Sequence, residues 1–162
     1  MIFRNKNNKN KLIVFVVVLT LLTVLFIFSQ SLPGIEVSKK ESVKVQEIVE
    51  PALEVAVGKG NVTNNLVRKL AHIVEFMALG VELSVLSLLI GKNSVGYIAV
   101  TAVCTALCDE TIQIFSKRGP QVQDVWLDIG GAILGAMLAL LIYLFYKLIT
   151  YTRKKSNQAS IL

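Results

Sequence analysis

The chain has 162 residues, with 17 basic and 11 acidic side chains and a net charge of +6. Hydrophobic residues make up 54% of it, charged residues only 17%, and mean hydropathy is +0.63; ordinary soluble domains carry roughly 25% charged residues. That balance excludes a disordered chain, a nucleic-acid-binding domain and a typical soluble enzyme, and the length allows one compact unit.

Charge-free stretches run from Leu12 to Ile35, from Asn93 to Cys108 and from Ile129 to Tyr146. A bilayer core is about 30 Å thick and takes roughly 20 helical residues to cross. The first predicted span is Leu12 to Phe28, preceded by Arg4, Lys6, Lys9 and Lys11. A basic-then-apolar start is also the signature of a signal peptide, whose apolar core is usually about 7–15 residues. This run is longer, and Ser29-Gln30-Ser31-Leu32-Pro33 offers no small-x-small cleavage site, so a retained anchor is expected.

Residues 29–65 read as a polar extracellular connection, punctuated by Pro33, Gly34, Pro51, Gly58 and Gly60. Between Val37 and Glu50 the pattern fits either a short amphipathic helix on the membrane surface or a solvated loop. Asn61-Val62-Thr63 matches a glycosylation sequon, a pattern common by chance.

The second span begins near Asn65, taken as a helix cap, and ends at Gly91-Lys92-Asn93. It is apolar but carries His72, Glu75 and Glu82. The third runs from Ser94 to about Phe115, and Lys117-Arg118-Gly119-Pro120 breaks the chain. The fourth starts near Asp124 or Val125 and ends near Ile149, and a basic tail follows with Arg153, Lys154 and Lys155.

The predicted architecture is an all-α membrane protein, a four-transmembrane-helix bundle with one extracellular loop segment. Residues 1–28 hold the basic amino terminus and first span, 29–65 the loop, 66–150 a three-helix region and 151–162 the tail. Four crossings put both termini on one side. The basic residues before the first span make that side cytoplasmic. Lys and Arg counted over the whole chain discriminate poorly, because Arg68, Lys69, Lys117 and Arg118 fall on the outer side.

Those cations have company. Helical spacing puts Arg68, His72, Glu75 and Glu82 on one face of the second span. His72 lies about 5 Å and Glu75 about 9 Å deeper than Lys69 by helix rise. The third span ends with Asp109, Glu110 and Gln113, and the fourth begins with Asp124 and Asp128. Because the second and fourth spans run inward and the third outward, all these groups reach one depth. An ionised side chain at the membrane centre costs roughly 2.5–3.5 kcal/mol on insertion scales, so such groups face the bundle, pair or line a wet cavity. A polar pocket open to the outside follows, with Arg68, Lys69 and Arg118 facing the carboxylates. The bland alternative is a set of interfacial helix ends. Gly131, Gly135 and Ala139 repeat at four-residue spacing on the face of the aspartates and are assigned to helix packing within the chain, with homodimerisation as the rival use.

Lys69-x-x-His72-x-x-Glu75 with Gly80, then Asp109-Glu110-x-x-Gln113, Arg118, Asp124, Asp128 and Gly131-x-x-x-Gly135, resembles the VanZ-like family of bacterial membrane proteins. The resemblance covers about residues 66 to 145, and Ser29-Gln30-Ser31 also suits it. Asp128 departs from the pattern, which more often has Asn there, and Glu82 lies outside it. The resemblance implies a multi-pass protein of the bacterial cytoplasmic membrane, associated with resistance to lipoglycopeptides such as teicoplanin. It carries over no established reaction.

Two functions compete. One is non-enzymatic binding or shielding of an amphiphile at the outer leaflet, a lipid-linked cell-wall precursor or the lipoglycopeptide itself, within a role in resistance or cell-envelope homeostasis. The other is a membrane enzyme acting on such a precursor or on a phospholipid headgroup, with His72, Glu75 and Glu110 as acid, base or metal ligands. The chain has a single histidine, and no phosphatase-type histidine pair, nucleophile elbow or Walker loop. No catalytic residue, metal site or cofactor is therefore assigned from the sequence. A proton path through Glu75 and Glu82 lacks a matching inner-half acid on the third and fourth spans. Cys104 and Cys108 are expected to pack as small apolar groups. Trp126, Tyr143, Tyr146 and Tyr151 are expected at the membrane interfaces. Membrane lipids, a lipid-linked precursor or lipoglycopeptide, and a second copy of the chain are the expected partners; nucleic acid is not.

Overall fold

The computed structural model of the chain describes residues 6–91, 95–116 and 122–159. Among these are the helices α1 (Lys6–Ser31), α2 (Ile35–Val57), α3 (Asn64–Ile90), α4 (Val95–Phe115) and α5 (Val122–Ala159), and no strand. Four of them, α1, α3, α4 and α5, are long and apolar enough to cross a membrane. The protein is thus an all-α, multi-pass membrane bundle.

α3 is the hub, packing against each of the other helices. Its most intimate partner is α5, and the sequence explains why. A Cβ placed on Gly131 would stand 2.6 Å from the carbonyl oxygen of Ile73. One on Gly135 would run into the Met77 carbonyl, and one on Gly80 of α3 into the Ala132 carbonyl. Only glycine permits that approach, which trades side-chain volume for backbone contact where no hydrophobic force drives helices together in lipid. The Gly131 and Gly135 face is thereby occupied within the chain, and Ala139 is buried. Ile27 of α1, Phe76, Leu79 and Leu83 of α3, Ala102 and Ala106 of α4, and Ala132 of α5 form the core. The long apolar residues of α1 and α5, such as Leu25, Phe26, Leu141 and Phe145, point away from it, as lipid-facing residues do.

Several boundaries differ from the sequence reading. The cap of α3 is Thr63, not Asn65: its Oγ1 accepts from the Leu66 backbone N–H at 3.2 Å. Thr63 holds extended backbone one step before the helix, which is the geometry a side-chain cap needs. At the other end Gly91 adopts a left-handed conformation with φ 74°, and its N–H returns to the Ser87 carbonyl at 3.0 Å. This closing geometry suits glycine.

The two alternatives for the connection resolve toward helix. α2 is longer than Val37–Glu50, and Pro51 lies inside it rather than ending it. A helical proline removes one backbone donor, and Pro51 is on the exposed side. α2 is tied down by Gln46, whose Nε2 donates to the Val62 carbonyl at 2.9 Å.

α5 continues past Ile149 to Ala159. No glycine or proline interrupts it there. At 1.5 Å per residue α5 measures about 57 Å, well beyond a bilayer core, so its basic end projects from the membrane. Cys104 and Cys108 are free and exposed on the surface of α4 rather than packed, because the core-facing side of that helix is Ala102, Thr105, Ala106 and Asp109. Trp126, Tyr146 and Tyr151 are exposed.

Candidate functional site

The polar groups of α3, α4 and α5 meet at one end of the bundle. The Gly131–Ile73 contact sets the rotation of α5 against α3 and turns Asp128, one turn earlier, toward His72. α4 supplies the third wall by its last turns, where Asp109, Glu110 and Gln113 are all buried.

His72 is the common point. Its Nδ1 stands 3.9 Å from Glu75 Oε2, 3.9 Å from Asp109 Oδ2 and 3.9 Å from Asp128 Oδ1. One imidazole nitrogen therefore faces a carboxylate from each of three helices. Asp109 is 0% and Asp128 1% exposed. Gln113, one turn along α4, donates from Nε2 to Asp109 Oδ2 at 2.8 Å and fixes that carboxylate's rotamer.

Toward the mouth, Lys69 Nζ meets Asp124 Oδ1 at 3.4 Å, each side chain about a quarter exposed at 27%. A narrow cleft opens there, with about 20 Å³ of room, enough for a single water, and it is lined by Asn65, Arg68, Lys69, His72, Asp124, Leu127 and Asp128. Arg68 faces the cleft, but its Nε makes no hydrogen bond. Arg118 and its neighbour Lys117 lie outside the described residues, as do Lys92, Gly119 and Pro120.

The structure thus brings Arg68, Lys69, His72, Asp124 and Asp128 to one cleft, and sets Glu75 and Asp109 against the imidazole behind it. Glu82, on the same face of α3 but deeper, does not join them. Thr23 of α1 donates from Oγ1 to Glu82 Oε1 at 2.8 Å. Sequence reading missed that pair, and the only available signal was a polar interruption in each of two apolar runs. It also missed Asn65 and Leu127 as cleft residues, since neither has a charge or a spacing that marks it.

The VanZ/LLP1 family model matches residues 14–145, which takes in α1 and α2 as well as the 66–145 region that carries the resemblance. No curated protein and no solved structure matches the chain significantly. A match over most of the chain, on a bundle that brings His72, Glu75, Asp109, Asp124 and Asp128 together at one end, places this protein in the VanZ-like family.

Proposed function

We propose that the chain contributes to (lipo)glycopeptide resistance, or more generally to cell-envelope homeostasis, as a non-catalytic protein of the bacterial cytoplasmic membrane. It binds the polar end of an amphiphile at the outer leaflet. The observation that carries this reading is the Lys69–Asp124 pair beside Arg68 at the mouth of the cleft. A cation held by an aspartate yet a quarter exposed keeps donors available to an anionic headgroup or pyrophosphate. Both termini are cytoplasmic in this reading, which turns the cleft outward, where antibiotic and lipid-linked target meet. Self-association would use a surface other than the glycine face of α5, which α3 covers.

The test is lipoglycopeptide susceptibility of cells carrying Lys69→Ala, Arg118→Ala or His72→Ala at matched membrane levels. Loss of protection in the Lys69 or Arg118 variant supports binding through cations; unchanged protection in both rejects it. The convergence of carboxylates on His72 favours one second reading, a membrane enzyme acting on a lipid-linked precursor or phospholipid headgroup. Product formed from a labelled precursor by purified protein, and absent with His72→Ala, would establish it.

A further inference from the structure

The geometry points to a divalent-cation site formed by His72, Asp109 and Asp128. One ligand atom from each lies within 4.8 Å of the others. Two ligands on opposite sides of a cation are separated by twice the bond length, roughly 4–5 Å for metal–nitrogen and metal–oxygen bonds of about 2.0–2.6 Å. The three atoms therefore surround a space of the right size for one ion.

The carboxylates supply the independent sign that something belongs there. Asp128 is 1% exposed, and neither of its oxygens accepts a hydrogen bond among the described residues. Asp109 is fully buried, and only Oδ2 is satisfied, by Gln113; Oδ1 accepts nothing. Buried carboxylate oxygens without donors are strongly disfavoured unless a charge compensates. The 3.9 Å separations from His72 Nδ1 exceed the 2.7–3.2 Å of an N–H···O bond, so the imidazole does not close the gap.

The charge inventory agrees. Lys69 is committed to Asp124 at the mouth, and Arg68 lines the cleft. Among the described residues, the carboxylates of Glu75, Asp109, Glu110, Asp124 and Asp128 outnumber Arg68 and Lys69 even with His72 charged. A dication offsets that excess inside a low-dielectric wall. Gln113, holding Asp109 from behind, is the kind of outer contact that orients a ligand. The cleft that reaches His72 and Asp128 gives the entry path.

One imidazole with carboxylates points away from the all-oxygen preference of Ca²⁺ and toward a first-row ion of the Mn²⁺ or Zn²⁺ class. Glu75, whose Oε2 is also 3.9 Å from Nδ1, is placed to add a further oxygen. The inference does not depend on the amphiphile reading, since cation binding is measured without any lipid ligand.

The experiment is Mn²⁺ titration of the purified full chain in detergent, followed by electron paramagnetic resonance, with Zn²⁺ as competitor. The expected result is one saturable Mn²⁺ per chain, displaced by Zn²⁺, with nitrogen coupling from the imidazole. Asp128→Asn and Asp109→Asn should each weaken binding roughly tenfold or more, as loss of a ligand exceeds loss of an outer contact. His72→Ala should abolish the nitrogen coupling. Glu82→Gln, deeper on α3, should leave binding unchanged. Absence of saturable Mn²⁺ in the wild-type protein overturns the site; so does binding that both Asp→Asn variants leave intact, or a bound ion without nitrogen coupling. The wild-type titration decides the matter even if a variant fails to fold.

Discussion

Thr23 and Glu82 show what one hydrogen bond does in this bundle. Glu82 stands in the apolar middle of α3, and Thr23 gives its Oε1 a donor from α1 at 2.8 Å. Hydrogen bonds between membrane helices average about 0.6 kcal/mol and reach about 1.7. Thr23→Val should therefore lower unfolding free energy in detergent by roughly 0.6–1.7 kcal/mol. Glu82→Gln keeps the carbonyl acceptor and should cost less than Thr23→Val in the same measurement. Equal losses in the two variants would argue against the bond. Lys69 belongs to the same scale but to function. Its pair with Asp124 is partly exposed, and such pairs contribute about 0–1 kcal/mol. Lys69→Met should shift unfolding by no more than about 1 kcal/mol while removing protection; a large stability loss would recast Lys69 as structural.

At the scale of elements, the α3–α5 contact is the decisive one. It depends on Gly80, Gly131 and Gly135, and a single methyl at Gly135 would meet the Met77 backbone, which cannot swing aside as a side chain does. Gly135→Ala and Gly80→Ala should each destabilise by roughly 1–3 kcal/mol, the usual cost of overpacking. Gly130 provides the control, since a Cβ there meets nothing within 4 Å. Gly130→Ala should be neutral or stabilising by up to about 1 kcal/mol, because alanine restricts the unfolded chain and favours the helix. Thermal unfolding of the purified variants compares them directly. The contact also ties packing to the site, because Asp128 lies one turn from Gly131 and takes its direction from the same rotation. A Gly131 variant that still folds should alter whatever the His72 cluster binds.

For the whole molecule, direction across the bilayer governs what the cleft can meet. The cleft lies at the end of the bundle where α3 and α5 begin and α4 finishes. In the proposed orientation that end is extracellular, and the projecting basic end of α5 lies in the cytoplasm near anionic lipid. With Cys104 and Cys108 replaced by serine, a cysteine at position 40 should react with an impermeant thiol reagent in intact cells. One at position 154 should react only after permeabilisation. The reverse pattern would place the cleft inside and remove the amphiphile reading with it.

Local physics sets what is legible before the chain folds. Hydropathy and helix rise are read along one chain, so the crossings, the depth of His72, Asp109 and Asp128, and the small-residue face of α5 were all legible. Tertiary structure alone decided which groups meet. Rotation of α5 against α3 depends on backbone contacts between residues far apart, and it chose Asp124 for Lys69 and left Arg68 facing the cleft. The same holds for Thr23 with Glu82, which no spacing within either helix encodes. Cap choice at Thr63 and the length of α2 turned on hydrogen bonds that compete locally and are settled by packing. Periodicity could give each side chain a height; only the assembled helices gave it a neighbour.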